Sequence, residues 1–354
     1  MTQVIRVDPA HPDRAALAPA VACLRSGGLV AFPTETVYGL GADALDRDAV
    51  RRIFSAKGRP STDPLIVHVP SLEAIRPLVR DVPPIAARLA ARFWPGPLTL
   101  VLPRSSRVPD EVTAGLETVA VRVPAHPVAL ALLEAAGVPV AAPSANLFSR
   151  PSPTRAAHVL EDLDGRVDVL VDGGATDVGV ESTVLDLSGG APRILRPGAV
   201  TLEMLRDLVP DVVSRVGAVA TGASALPSPG LLERHYSPRA PLTLYEGPAA
   251  EVVPRMLGDA HALAARGGAV GLLLADEDRL PAATGGLRVA RLGPSGAPAV
   301  VAARLYDGLR ALDASGVDAI LVRGFPAESG LGVAIQDRLR RAAAGRVIRC
   351  APSA

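Results

Sequence analysis

Residues 28–44 read Gly28-Leu29-Val30-Ala31-Phe32-Pro33-Thr34-Glu35-Thr36-Val37-Tyr38-Gly39-Leu40-Gly41-Ala42-Asp43-Ala44. The stretch from Gly28 to Phe32 is an apolar run of strand length, and Pro33 then stops it. Behind the proline come Thr34, Glu35, Thr36, Gly39 and Gly41. Hydroxyls and glycines at the carboxyl end of a buried strand are the usual makings of a ligand crevice in an open α/β sheet. An ordinary turn rich in Thr and Gly has the same composition, so the stretch indicates the fold class and leaves the site to its neighbours.

Working outward, strand-like and helix-like segments alternate. Asp46 is placed to N-cap a helix with Ala49, Val50, Ile53 and Phe54 on one face. Lys57 falls in its last turn and Gly58 ends it. Residues 65–69, 98–102, 119–123, 138–142, 167–171, 182–187 and 193–195 read as strands. Ser71 is expected to cap a helix, and residues 84–93, 127–136 and 154–163 read as helices. The alternation runs to about residue 208, so 1–208 is read as the first domain. Residues 209–240 are read as a linker, with an Ala/Gly/Ser/Thr-rich part followed by Pro229-Gly230 and Ser237-Pro238. Residues 241–354 form a second α/β unit, with strands near 242–245, 269–274, 288–292 and 318–322 and helices near 249–265, 297–315 and 332–344. That pattern predicts a small parallel sheet with flanking helices.

Length and composition agree. A chain of 354 residues points to two domains, and 49% hydrophobic content with only 3% aromatics means cores of Ala, Val, Leu and Ile. A net charge of +1 lacks the basic excess of a dedicated nucleic-acid binder, although a local basic cleft stays open. Cys23 and Cys350 form no metal or redox spacing, and the six histidines form no HExxH. The first ten residues are polar and mixed, unlike a signal peptide, and no apolar run reaches membrane-spanning length. A cytoplasmic protein without a membrane partner is expected. There is no Walker A loop, no GxGxxG after a strand and no GxSxG. Gly330-Leu331-Gly332 reads as a turn before a helix.

Two rarities mark a site. Lys57 is the only lysine beside 36 arginines, and Asn146 is the only asparagine. A lysine kept where every other cation is Arg suggests a need for a compact ammonium, though codon bias would also leave a stray Lys. Arg59 follows two residues on. His68 and Arg122 each sit inside an apolar strand, and Arg196 ends another. A lone strand histidine is more often a core residue. A strand-interior arginine requires an anionic partner, either a ligand or an internal group such as Glu181. Ser144, Ser149, Ser152 and Thr154 place hydroxyls in a Pro-interrupted loop suited to phosphate or ribose. The set is rich in cations and hydroxyls and poor in bases, which suits phosphoryl or nucleotidyl transfer.

Together the segments 28–44, 53–69 (IFSAKGRPSTDPLIVHV), 94–102 (WPGPLTLVL), 142–154 (APSANLFSRPSPT), 181–187 (ESTVLDL) and 194–198 (ILRPG) resemble the threonylcarbamoyl-AMP synthase family. The cluster Ser228-Pro229-Gly230 with His235-Tyr236-Ser237-Pro238, and the second α/β unit, resemble its long two-domain form. The resemblance implies a YrdC-like twisted open α/β sheet with a concave basic cleft, followed by a smaller Rossmann-like α/β domain. It implies synthesis of threonylcarbamoyl-AMP and pyrophosphate from L-threonine, bicarbonate and ATP, for modification of the adenosine beside the anticodon in tRNA. By resemblance, Lys57 and Arg59 are the catalytic pair. ATP contacts fall on Arg59, Asp63, Thr118, Ser144, Asn146, Ser152, Arg196 and Tyr236. The threonine pocket falls on Thr36, His68, Arg122, Ala142 and Ser182. Magnesium would be held mainly by the ATP phosphates, with no protein metal cage. The family usually has Asn where Asp63 stands, Ser-Gly where Phe148-Ser149 stands, and Met with basic or aromatic residues near Leu231-Leu232-Glu233. Asp63 would still serve ATP through magnesium or ribose.

The expected partners are the three substrates and the downstream tRNA threonylcarbamoyl transferase machinery, with weak RNA binding as a further possibility. A double-stranded RNA or tRNA module without synthase activity is the rival of a different class. A carbamoyl-transfer enzyme of hydrogenase maturation is a second rival, but this chain lacks the cysteines of such proteins.

Overall fold

The computed structural model describes residues 1–214, 226, 228–230, 232, 234–280 and 286–351. The expected linker's residues 215–225, 227, 231 and 233 lie outside the described residues. The chain divides into two compact units, Met1–Phe148 with Ser152–Leu231, and Ser149–Pro151 with Leu232–Ala354.

In the first unit the chain runs β1 (Gln3–Arg6), α1 (Ala18–Arg25), β2 (Val30–Phe32), β3 (Gly39–Asp43), α2 (Arg47–Lys57) and β4 (Ile66–His68). It continues through α3 (Pro84–Phe93), β5 (Leu98–Pro103), α4 (Asp110–Thr113), β6 (Thr118–Arg122), α5 (Pro127–Ala136), β7 (Val140–Ala141) and α6 (Ala156–Leu163). It closes with β8 (Val169–Asp172), β9 (Thr183–Asp186), β10 (Arg193–Arg196), α7 (Leu202–Arg206) and β11 (Val213–Ser214). Among the described residues these strands form one mixed sheet in the order β1-β8-β2-β3-β7-β4-β6-β5-β9-β10-β11.

The strand at 28–32 has alternate residues on opposite faces, as the pleat requires. Leu29 and Ala31 enter one core with α2 and α3, while Val30 and Phe32 enter another with α1 and α5. This is why the run is apolar without alternation. Helix α2 is bounded as its sequence signals. The Asp46 side chain accepts from the Asp48 and Ala49 amides, and Gly58 ends the helix at φ 63°. Its buried face carries Ala49, Val50, Ile53 and Phe54, and Lys57 continues that face inward.

Two local expectations change. After Ser71 only a single 3-10 turn forms, Glu73–Ile75, with Ser71 Oγ 3.4 Å from the Ala74 amide. Pro77 lies where a longer helix would have to continue, and it has no amide hydrogen to extend the hydrogen-bond ladder. Residues 39–43, which read as part of a loop, are strand β3, antiparallel to β2. Gly41 fits there because a Cβ would stand 2.7 Å from Val140 Cγ1 and 2.8 Å from the Phe32 ring. A glycine inside a strand marks such a close approach.

The second unit runs β12 (Leu242–Glu246), α8 (Ala249–Ala264), β13 (Val270–Leu274), β14 (Leu287–Arg291), α9 (Pro298–Ala314), β15 (Ala319–Arg323), α10 (Leu331–Ala343) and β16 (Val347–Arg349). Its sheet is parallel throughout, in the order β14-β13-β15-β12-β16. The short β16 had no sequence signal comparable to the other strands. Among the described residues no helix is long and apolar enough to cross a membrane.

Candidate active site

The site lies on one face of β4, β6, β5 and β9 in the first unit. On that face the apolar cover is a small cluster, Ile66, Val101, Ala120, Val184 and Leu195. The strand period of two carries His68 onto the face of Ile66, and Thr118 and Arg122 onto that of Ala120. It likewise carries Thr99 onto the face of Val101. His68 and Arg122 are register partners across the parallel pair β4 and β6. One pleat thus gathers polar side chains that the sequence scatters.

Arg122 is 3% exposed, and each of its three nitrogens donates one hydrogen bond to the protein. Its Nη2 donates to Glu35 Oε1 at 2.6 Å, Nη1 to Thr36 Oγ1 at 3.1 Å and Nε to the Gly96 carbonyl at 3.2 Å. The other Glu35 oxygen accepts from the Ala125 amide at 3.0 Å. The internal partner of Arg122 is therefore Glu35, not Glu181. Glu181 instead accepts from the Ser152 hydroxyl. His68 is buried, with Nδ1 3.2 Å from the Ile66 carbonyl oxygen. Burial first, and Arg122 second, push its pKa down to about 3. It is a neutral imidazole at physiological pH. Ala142 lies beside it, its amide donating to the Ile66 carbonyl at 2.9 Å.

A second branch joins β9 to β10. Ser182 Oγ lies 2.8 Å from Thr99 Oγ1 and accepts from Arg196 Nη2 at 3.1 Å. Arg196 Nε donates to the Ser182 carbonyl, and Nη1 reaches the Pro229 carbonyl at 3.5 Å. Thr118 lines a cavity of about 10 Å³ with Pro64, Ser228 and Pro229, large enough for a single water.

The third branch comes from the end of α2. Lys57 is 2% exposed, and its Nζ donates to the carbonyl oxygens of Ser144 and Asn146. The Lys57 carbonyl in turn accepts from the Phe148 amide at 2.9 Å. The single Lys and the single Asn are thus joined through the main chain of the loop. Arg59 donates to the carbonyls of Asp63 and Pro64, and its Nη2 lies 3.0 Å from Asp63 Oδ2. Asp63 is fully buried, and among the described residues neither carboxylate oxygen accepts a hydrogen bond. Burial raises its pKa, against the opposing pull of Arg59, Arg196 and Lys57.

Tyr236 falls in the second unit. Its backbone has φ 59°, its ring stacks on Tyr306 at 5.6 Å, and the Arg338 guanidinium lies 5.1 Å from its centroid. Sequence reasoning missed Glu35 and Thr99. The available signals were a carboxylate between two threonines in a buried turn, and a lone hydroxyl in an apolar strand.

Buried cations and hydroxyls on a mixed α/β sheet suit an enzyme of the nucleotidyl-transferring type. The family described as "Telomere recombination" matches residues 22–198, and "Threonylcarbamoyl-AMP synthase, C-terminal domain" matches residues 200–344. The threonylcarbamoyl-AMP synthase of Pyrococcus abyssi is 44% identical, over 92% of this chain and 93% of its own. That of Bacillus subtilis is 46% identical, over 94% of each. The crystal structure of P. abyssi Sua5 complexed with L-threonine superposes with a TM-score of 0.91 at 42% identity, covering 99% of this chain and 100% of that one. The chain belongs to the threonylcarbamoyl-AMP synthase family.

Proposed function

We propose that the chain forms threonylcarbamoyl-AMP and pyrophosphate from L-threonine, bicarbonate and ATP, with the residue roles that follow. The observation that carries this assignment is the buried Arg122, held by Glu35 and Thr36 beside a neutral imidazole and a serine hydroxyl. A fixed guanidinium fork suits the amino-acid carboxylate. His68, Thr36 and Ser182 would supply hydrogen bonds without adding charge, and Ala142 a wall for the methyl group.

Bicarbonate loses hydroxide to give CO2, the threonine amine adds to its carbon and loses a proton, and the carbamate forms with the release of one water. A carbamate oxygen then attacks the α-phosphorus of ATP, and the bond to the β-phosphate bridging oxygen breaks to release pyrophosphate. Arg59 and Arg196 offset charge on the transferring and departing groups. Lys57 fixes the Ser144–Asn146 loop and brings an ammonium to the nucleotide side, with Thr118 and Ser152 as further ATP contacts. Asp63 orients Arg59. The 209–240 segment, which carries Tyr236, joins a 1–208 catalytic domain to a 241–354 domain. Among the described residues no three His, Cys, Asp or Glu side chains converge as metal ligands. Magnesium would be carried by the triphosphate oxygens. The product would pass to a tRNA threonylcarbamoyl transferase in the cytoplasm.

Pyrophosphate release with ATP, magnesium and bicarbonate, measured with L-threonine, L-serine or no amino acid, tests the reading. Release that needs both threonine and bicarbonate is expected. Release indifferent to the amino acid would remove the pocket assignment.

A further inference from the structure

The hydroxyls around Arg122 do not all offer the same atom to a ligand. The turn between β2 and β3 begins at Thr34, whose Oγ1 lies 3.2 Å from the amide nitrogens of Thr36 and Val37 and accepts from both. A threonine at the start of a turn holds the backbone that follows it in this way. The same oxygen lies 2.6 Å from the Val37 carbonyl oxygen and 2.7 Å from Thr36 Oγ1. A carbonyl oxygen has no proton to give, so the proton of the first contact is that of Thr34. Thr34 has no other hydroxyl hydrogen, and the proton of the second contact belongs to Thr36. Thr36 Oγ1 also accepts from Arg122 Nη1 at 3.1 Å. A guanidinium only donates and a carbonyl only accepts, so both hydroxyls between them point the same way. Thr34 and Thr36 are buried, which keeps water from competing for these protons.

Thr36 is left with a lone pair and no proton to offer. Ser182 is the opposite. Its Oγ accepts from Arg196 Nη2 and lies 2.8 Å from Thr99 Oγ1. Thr99 is fully buried, and among the described residues Ser182 is the partner of its hydroxyl. The Thr99 proton goes there or stays unpaired, and a buried unpaired donor is costly. Ser182 then keeps its own proton. The pocket sets an acceptor at Thr36 against a donor at Ser182, and each Arg122 Nη keeps a second N–H. An amino acid fits this pattern in one direction. Its carboxylate, which only accepts, belongs with Ser182 and Arg122. Its amine, which donates, belongs with Thr36. An acceptor at that point also leaves the amine lone pair free for the carbon of CO2.

We propose that Thr34 is a positioning residue for the substrate amine, a role that rests on the synthase reading above. By taking the Thr36 proton, it makes Thr36 an acceptor that holds a substrate N–H. Equilibrium dialysis of the full chain with two labelled analogues of threonine tests this in wild type, Thr34→Val and Thr34→Ser. L-α-Aminobutyrate keeps the amine and lacks the hydroxyl, whereas D-β-hydroxybutyrate keeps the hydroxyl and lacks the amine. Valine keeps the shape of Thr34 but cannot take the Thr36 proton, which then turns toward the amine. Thr34→Val is expected to bind L-α-aminobutyrate about tenfold more weakly, the scale of one hydrogen bond to a charged group, and D-β-hydroxybutyrate as wild type does. Thr34→Ser keeps the hydroxyl and should match wild type with both. Equal weakening of the two analogues in Thr34→Val would mean a disturbed turn, and weakening of D-β-hydroxybutyrate alone would put the substrate hydroxyl at Thr36. Either result overturns the proposal, as does undiminished binding of L-α-aminobutyrate. Failure of L-threonine to displace the analogues from wild type would instead remove the synthase reading, and this role with it.

Discussion

Arg122 on β6 donates to Glu35 at 2.6 Å, although 87 residues of chain separate them and both side chains are buried. The pair fixes the guanidinium on the sheet face. Glu35→Ala would leave the arginine buried and uncompensated. Breaking one side of a buried pair costs about 3–5 kcal/mol, so the urea midpoint should fall sharply. A variant as stable as wild type would mean that the pair does not hold the pocket.

Lys57 places its ammonium between two carbonyl oxygens of the Ser144–Asn146 loop. A planar guanidinium cannot occupy that point with the same geometry. Both Lys57→Arg and Lys57→Ala are expected to lower kcat for pyrophosphate release by about 10²–10³-fold, the scale of losing one preorganised electrostatic contact. Near-normal turnover in Lys57→Arg would show that charge alone suffices there.

Asp63 has its pKa raised by burial. The folded state then holds a proton that the unfolded chain has released, so stability falls as pH rises from the ordinary carboxylate value toward the raised one. Asp63→Asn removes that loss and keeps an oxygen that can face Arg59. The variant is expected to gain on wild type in denaturation at neutral pH and to show no gain near pH 3, with pyrophosphate release retained. A variant less stable at neutral pH would mean that attraction to Arg59 outweighs burial.

His68 has the opposite sign. Its folded pKa of about 3 lies below the ordinary imidazole value, so the unfolded chain binds the extra proton. The stability present above about pH 6.5 is lost progressively as pH falls toward 3. His68→Gln should flatten stability across that acid range. In the wild type, KM for L-threonine should show no imidazole inflection between about pH 5 and 8. A clear inflection that disappears in His68→Gln would show a titrating, solvent-linked histidine.

Much of the architecture was legible residue by residue. Asp46 and Gly58 bound α2 because capping and left-handed geometry are local choices, and Pro84–Phe93 and Pro127–Ala136 show their helical faces in short-range spacing. The apolar runs at 28–32 and 270–274 announce strands buried on both faces. Ser71 shows the limit of such signals, since a cap is overruled when a proline stands inside the following turns.

The sequence by itself determined many of the strands and helices, the parallel character of the second unit, and the cations and hydroxyls from which a nucleotide site could be built. Tertiary structure alone decided which of them meet. Glu35 rather than Glu181 became the partner of Arg122, Thr99 found Ser182, and residues 39–43 became a strand by pairing with β2. Periodicity and capping act over a few residues and leave a trace in the sequence. Pairing across a sheet depends on register between distant segments, and the pleat that brings His68 beside Arg122 exists only once β4 and β6 lie side by side.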